Sequence, residues 1–526
     1  MDLSIDQALD LAIQYHQQGK LNEAKSIYEA ILKSSPQNHH ALNLLGVIHL
    51  SEGHIDSAIQ LISKSLKIEP NNPRALVNLG LAHDTKNNIK TAQELYQLAL
   101  QLDANMPEAI LNLGGCYFNN KQYDLAQSQY ERLLKLSPNH SDALNNLGKI
   151  AENKGATGVA EKYYRRAVKH YPKNSTALVN LGHLLVQEGK FEKALPYLNK
   201  AIEANPYSAL AHYNRATVLL RLGQFKQGWY DYEWRIMNRA GRRYLLNPAT
   251  RAQLPAPSTL MPIELEGKKI WFLGDQGIGD ELFFLRFIDR LKSSGAIPFV
   301  SISEKLEPLV KRWGHVILSS ENSSDTAIDY IFSLGDLPLI TGMSCHSEIP
   351  GSIQMSPLQN KIDQVNQDLA KMPRPWLAIT WEGGTRNDER QLHKHIPLEQ
   401  LLNSISQWHG SVLIVQREPN NEDIEAVKSM FGNRMCDCSE MNNDLEYALA
   451  LLNQIDRYIG VSNTNMHLLA MTNGTADVLV PLESEFRWMA KGDKTPWFPD
   501  FNLYRQSSDH TWNTALKQLN KKLLNS

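Results

Sequence analysis

Three short stretches in the second half of the chain hold residue types suited to handling an anion. The first is Gly274-Asp275-Gln276-Gly277-Ile278-Gly279-Asp280-Glu281, between the apolar run 270–273 and a helical pattern that starts at Leu282. Gly277 and Gly279 would let backbone N–H groups approach a ligand at a helix N-terminus, where anions bind. The same glycines suit a plain strand-to-helix turn, and the loop alone does not separate the two. No third Gly or Ala stands at Leu282, so a dinucleotide fingerprint is incomplete, and no Gly-Lys-Ser/Thr of a P-loop follows. The second stretch carries Arg386, Arg390, His393 and Lys394. It can neutralise a phosphate or, with Asn387-Asp388-Glu389 inside it, form a solvated charged loop. The third, Ser462-Asn463-Thr464-Asn465, precedes a helix. Its backbone N–H groups and short polar side chains can hold a phosphate, and it is equally a good N-cap run. Arg417 follows an apolar run and would point to the same strand ends. His467 lies within the helix, as suited to packing as to ligand contact.

These stretches need strands that end where they begin. Short apolar runs rich in β-formers predict strands at 270–273, 299–302, 316–318 and 330–333, then at 376–381, 411–415, 458–461 and 478–480. A helical connector at 358–371 separates the sets, helices are expected at 398–408, 423–431, 445–454 and 464–472, and a last helix at 512–524 could pack across both. Two consecutive α/β units imply two Rossmann-like domains facing a cleft, with ligands at the carboxyl ends of the strands.

The first half has a different period. Gly46, Gly80, Gly114, Gly148 and Gly182 step by 34, as do Ala24, Ala58, Ala92, Ala126, Ala160 and Ala194. Pro36, Pro70, Pro138, Pro172 and Pro206 keep the same step of 34, with Ala104 in the one gap. This is the tetratricopeptide pattern: small residues let two antiparallel helices approach, Pro ends the second helix, and the pairs stack into an α superhelix with a concave face. Six full repeats run over about 5–208, and an atypical seventh at 209–242 carries Gly228-Trp229-Tyr230-Asp231-Tyr232-Glu233-Trp234-Arg235, expected to dock the array on the next domain. A further ladder, Asn78, Asn112, Asn146, Asn180 and Asn214, also steps by 34. An amide offers both a donor and an acceptor to the backbone of an extended peptide, so these residues are candidate acceptor-binding groups. The alternative is that each helps neighbouring helices stack. The expected domains are repeats at 1–240, a Pro-broken linker at 241–267, and α/β domains at 268–357 and 358–526.

Composition narrows the function classes. At 526 residues and net charge −2, the chain suits several domains and gives no case for nucleic acid or a membrane surface. No signal peptide or membrane span is expected. Cys116, Cys345, Cys436 and Cys438 lack the spacing of a zinc site and suit free thiols in a cytoplasm.

The order of motifs resembles bacterial proteins that join tetratricopeptide repeats to a glycosyltransferase of GT-B fold related to the ADP-heptose transferases, over nearly the whole chain. The matching runs are 228–235, Gln276-Gly277-Ile278-Gly279-Asp280, Ile379-Thr380-Trp381-Glu382-Gly383-Gly384-Thr385, His393-Lys394-His395-Ile396-Pro397-Leu398, Val415-Gln416-Arg417, 460–468, Arg487-Trp488 and Pro496-Trp497-Phe498-Pro499. Among such proteins the branch that glycosylates flagellin looks nearest. The repeats also resemble those of O-GlcNAc transferase, where an asparagine ladder holds the protein substrate.

The resemblance implies an enzyme that moves a sugar from a nucleotide-sugar donor to Ser or Thr of a protein, with flagellin as a candidate acceptor. Donor contacts fall to Gly277, Gly279, Lys394 (matching the family's phosphate-facing lysine), Arg417, Ser462, Asn463, Thr464, Asn465 and His467. Asp280 matches the aspartate proposed as general base there, with Glu281 the alternative. A helix N-terminus stabilises the anion and so weakens such a base, which can still accept a proton late in the attack. Ser462-Asn463 replaces an Asp-Thr pair of the heptosyltransferases and counts against heptose as the sugar. No Asp-x-Asp occurs in the α/β half, so neither cofactor nor obligatory metal is expected, and a single base implies inversion. The alternatives are the same transfer to a lipid or polysaccharide, or a non-catalytic scaffold with a degenerate transferase half.

Overall fold

The computed structural model describes residues 3–235, 264–274, 277–318, 320, 327–383 and 394–524. Most of the expected linker, together with Asp275, Gln276, Arg386, Arg390 and His393, lies outside the described residues. The chain forms two compact units, Met1–Leu181 and Gly182–Ser526.

Among the described residues, fourteen helices in pairs run from Ile5–Gln17 to Phe225–Tyr232. Their pairing has a small-against-large lock. A Cβ at Gly80 would stand 2.6 Å from the Tyr96 ring, and Gly114 and Gly148 face Tyr130 and Tyr164 in the same way. The rings also step by 34, and this signal was legible alongside the glycines. Between the helices of each pair the backbone turns through positive φ, at Gly19, Gly53, Asn87, Lys121, Gly155, Gly189 and Gly223. Glycine takes this conformation without steric cost, and Asn tolerates it. Asn38, Asn72, Asn174 and Ser208 cap first helices by accepting the N–H three residues on.

In the second unit the strands are β1 (Lys269–Leu273), β2 (Ile297–Ser301), β3 (Ile317–Leu318), β4 (Tyr330–Ser333), β5 (Trp376–Ile379), β6 (Glu382–Gly383), β7 (Lys394–His395), β8 (Ser411–Ile414), β9 (Met435–Asp437), β10 (Arg457–Val461), β11 (Asp477–Val480) and β12 (Asn502–Arg505). The first sheet has the order β3-β2-β1-β4 and the second β9-β8-β5-β10-β11-β12, every neighbouring pair parallel. Both are doubly wound: order reverses beside the first strand, and the chain leaves a crevice at the strand ends there. The sequence reading missed β9 and β12, the two edges of the larger sheet. Both are short and half polar, as edges are. It also started the first α/β helix one turn late. The helix is Ile278–Leu285, so Asp280 and Glu281 sit in its first turn, and a break at Arg286–Phe287 precedes a second helix, Ile288–Ser293.

Three rings of the last repeat are core. Phe225, Trp229 and Tyr232 are buried in one cluster with Phe283, Phe284, Phe486 and Trp497, and Trp229 donates its indole N–H to the Met343 sulfur at 3.3 Å. Burying three large rings contributes several kcal/mol, roughly 1.5–3 each. Arg235 is paired with Asp336 at 2.6 Å, both buried.

Candidate functional site

Each sheet delivers one helix N-terminus to the site. In the first, Gly277 caps Ile278–Leu285 with φ −83° and ψ 170°. A Cβ there would meet nothing within 4 Å among the described residues, so neither backbone nor packing demands a glycine. Gly279 is different: its Cβ would come within 3.3 Å of His467 and 3.5 Å of the Thr464 backbone. It lets the helix Thr464–Met471 of the second sheet pack against the first. Gly279 is therefore a close-approach residue and is used before any ligand arrives.

Asp280 reaches across between the sheets. Its Oδ1 accepts from Nη2 of Arg487. Arg487 is buried, and its Nη1 donates to Nε2 of His467 at 2.8 Å. Burial first, then the Arg487, Arg286 and Lys394 cations, push the His467 imidazole well below its ordinary value. It is neutral, with Nε2 accepting and the proton on Nδ1. Burial opposes the Arg487 charge, but Asp280 and Glu485 more than offset this and hold it ionised. His467 thus orients Arg487.

Glu485 organises the other side. Its Oε1 pairs with Lys394 and accepts from Ser462 Oγ at 2.9 Å, and Oε2 accepts from the Trp488 indole at 3.0 Å. Burial would raise this carboxyl, yet Lys394 and Arg487 outweigh it and bring it to about 2. Lys394 lies in β7, opposite Gly383 of the antiparallel β6. Gly383 is needed because a Cβ would collide with the Ser462 carbonyl. This glycine lets the β6–β7 ribbon lie on the end of β10.

The third stretch is built mainly by its own side chains. Asn463 caps its helix by accepting from the Asn465 N–H at 3.0 Å, donates to Thr380 Oγ1 at 2.9 Å, and accepts from the Tyr458 hydroxyl at 3.1 Å. Asn465 is buried and donates to the Val415 carbonyl at 2.9 Å. Gln416 accepts from the N–H groups of Trp381 and Glu382 at 3.1 and 3.0 Å, finishing β5. Asn463 and Asn465 therefore shape the crevice floor. Thr464 opens the helix beside Gly279.

Two expected site residues stand differently from Asp280 and Lys394. Glu281 is buried, accepts from the Ser303 N–H at 3.1 Å and lies against Gly274. It ties the loop after β1 to the end of β2. Arg417 is exposed, and among the described residues its side chain lies 3.5 Å from Glu418. The sequence reading assigned no role to Glu485 or Arg487, although Arg487-Trp488 was among its motifs. The signal for Glu485 was only its place two residues before Arg487.

The asparagine ladder is not uniform. Asn78 and Asn180 donate to Asn43 and Asn145 of the preceding repeat at 3.1 and 2.8 Å. Asn146 accepts from Asn145 at 3.3 Å. Asn112 makes no hydrogen bond among the described residues through its side chain, and Asn214 is buried with its Nδ2 unpartnered. Two of the five residues thus staple repeats together. For metal, a trio in the second repeat, His49, Glu52 and His54, could supply three ligand atoms within 4.8 Å of one another. Glu52 is already paired with Lys25 at 2.7 Å.

Comparison with known proteins bears on the repeats. Residues 12–229 match the family described as tetratricopeptide repeat protein 21 N-terminal ARM repeat. The N-terminal region is a tetratricopeptide/armadillo-type repeat region. A curated relative, Protein FlbA of Caulobacter vibrioides, is 22% identical over 55% of this chain, and the match spans about half (51%) of that protein's length. Similar solved structures include PilW, a type IV pilus biogenesis factor (23% identity, 42% of this chain and 100% of that one, TM-score 0.36). Another is pilF of Pseudomonas aeruginosa (21%, 39% and 91%, TM-score 0.34). TM-scores this low carry no argument. Repeats of this kind generally bind protein partners. Among the described residues, no helix is long and apolar enough to cross a membrane.

Proposed function

We propose that the chain is an inverting, nucleotide-sugar-dependent glycosyltransferase of GT-B architecture, acting on Ser or Thr of a protein held by the repeats. The observation that carries this reading is the meeting of Asp280, after the first strand of one doubly wound sheet, with Arg487, and of Lys394 and Ser462 with Glu485, at the strand ends of the other. A carboxylate and two cations there match what glycosyl transfer asks of a site. The acceptor hydroxyl oxygen bonds to the anomeric carbon while its proton passes to Asp280. The carbon–oxygen bond to the nucleotide breaks, and its electron pair leaves on the phosphate, beside Lys394 and Arg487. One displacement inverts the anomeric centre. A cytoplasmic setting and a flagellin-like acceptor belong to the same proposal, through the resemblance of the motifs.

One observation favours a second reading, a non-catalytic scaffold: both cations are already neutralised, Lys394 by Glu485 and Arg487 by Asp280. Incubation with a set of nucleotide sugars and bacterial cell protein, followed by mass spectrometry, separates the two. The transferase reading expects a sugar-sized mass gain on Ser or Thr peptides. A gain confined to lipid or polysaccharide replaces the acceptor, and no gain with any donor leaves the scaffold.

A further inference from the structure

The segment that carries Glu485, Arg487 and Trp488 leaves the second sheet after β11 and runs against the last two repeats. Gly189, in a turn with φ +69°, stands so close to Leu482 that a Cβ would lie 2.9 Å from its side chain. Lys491 pairs with Glu192 at 2.6 Å. Between these contacts lies a more specific one. Arg221, at the end of the helix Ala209–Arg221, is 5% exposed. Its Nη2 donates to the Ser484 carbonyl, and its own carbonyl accepts from the Ala490 N–H at 2.9 Å. Its guanidinium lies 5.0 Å over the Phe191 ring, which holds the stem in place.

We propose that Arg221 is a positioning residue: it fastens the span 484–490 at both ends and so sets where Glu485 and Arg487 stand against Lys394 and Asp280. Between the two clamps, Glu485 and Arg487 meet Lys394 and Asp280, while Phe486 is buried in the aromatic core. Nε and Nη1 of Arg221 are buried and make no hydrogen bond, so a full guanidinium is kept where one donor would satisfy Ser484. Buried unsatisfied donors are costly, and they persist where another requirement outweighs the cost. Burial lowers the Arg221 guanidinium from its ordinary value, and the carboxylates of Glu485 and Glu483 act against that shift. The final repeat is thus part of the site's framework. The effect on transfer rests on the transferase reading; the clamp itself does not.

The test uses the intact protein. In native-state hydrogen exchange, the Ala490 amide and the amides of Ala209–Arg221 should lose protection together as denaturant is raised. Separate transitions overturn the clamp, and this reading needs no variant. Arg221→Met keeps the stem without donor or charge and should speed exchange across 484–490 by tenfold or more. Misplacement on the order of 1 Å costs about 10²-fold in rate, so kcat should fall by about that much while acceptor KM holds. Arg221→Lys, which keeps the charge and one donor, should recover part of both losses. Wild-type exchange in a folded Arg221→Met protein overturns the proposal. A wild-type protein with no transferase activity would remove the functional reading and leave the exchange result to decide the clamp.

Discussion

Asp280 and Glu485 are both carboxylates at strand ends, and their surroundings assign them different work. Asp280 is partly open to solvent and held through one oxygen, which leaves its other oxygen for an acceptor proton. Asp280→Asn keeps size and a hydrogen bond to Arg487 but removes the base. Turnover at saturating substrates should fall about 10²–10⁴-fold with donor affinity nearly unchanged. Preserved turnover per folded molecule would make Asp280 an anchor for Arg487 only. Glu485 is largely shielded, its side chain 12% exposed, and Lys394 and Arg487 hold its carboxyl at about 2, below its ordinary 4.5. A depressed carboxyl contributes stability that is present above pH 4.5 and lost as pH falls toward 2. Denaturant melts across that window should therefore show a shallower acid loss for Glu485→Gln than for the wild type. Parallel curves would mean that Glu485 is not the group whose protonation matters.

At the scale of elements, periodicity hides two kinds of asparagine. Asn180 holds Asn145, which is 4% exposed, so Asn180→Ala leaves a buried amide oxygen without its donor. Stability should fall by about 1–3 kcal/mol. Asn112 has no such partner, and Asn112→Ala should melt like the wild type while weakening capture of an acceptor protein. Thermal melts and pull-down of the two variants side by side check this. Equal melting losses would return the whole ladder to helix stacking. The 34-residue register identified the ladder because every repeat places that residue alike. It could not say which amides are already paired, because the partner position varies: Asn43 and Asn145 are amides, while the same position holds Val77, Leu111 and Val179 in other repeats.

For the whole molecule, the end of the repeats is not where the repeat pattern stops. Phe225, Trp229 and Tyr232 are buried within the α/β core, and the second compact unit begins at Gly182. A fragment of residues 1–240 should therefore expose these rings and self-associate by light scattering, and Trp229→Ser with Tyr232→Ser should relieve that. In the full chain the same changes should cost about 3–5 kcal/mol each, as large aromatic truncations do. A monodisperse fragment that binds no hydrophobic dye would place the ring burial within the repeats themselves.

The sequence by itself determined what repeats and what alternates. Helix pairs follow from small residues every 34 positions, and the two strand-and-helix sets follow from short apolar runs bounded by turns. Those patterns are local, since each depends on neighbours a few residues away. Tertiary structure alone decided which charges meet. Asp280 and Arg487 are far apart in the chain, as are Lys394 and Glu485, and no periodicity links them. Gly279 and Gly277 look alike in the loop, yet only Gly279 faces another helix. Glu281 and Asp280 are adjacent, yet the first-turn geometry of a helix points them to different sides, one into the end of β2 and the other toward Arg487. Pairing of buried charges is set by where the chain returns in space, because burial makes an unpaired charge costly at any separation in sequence.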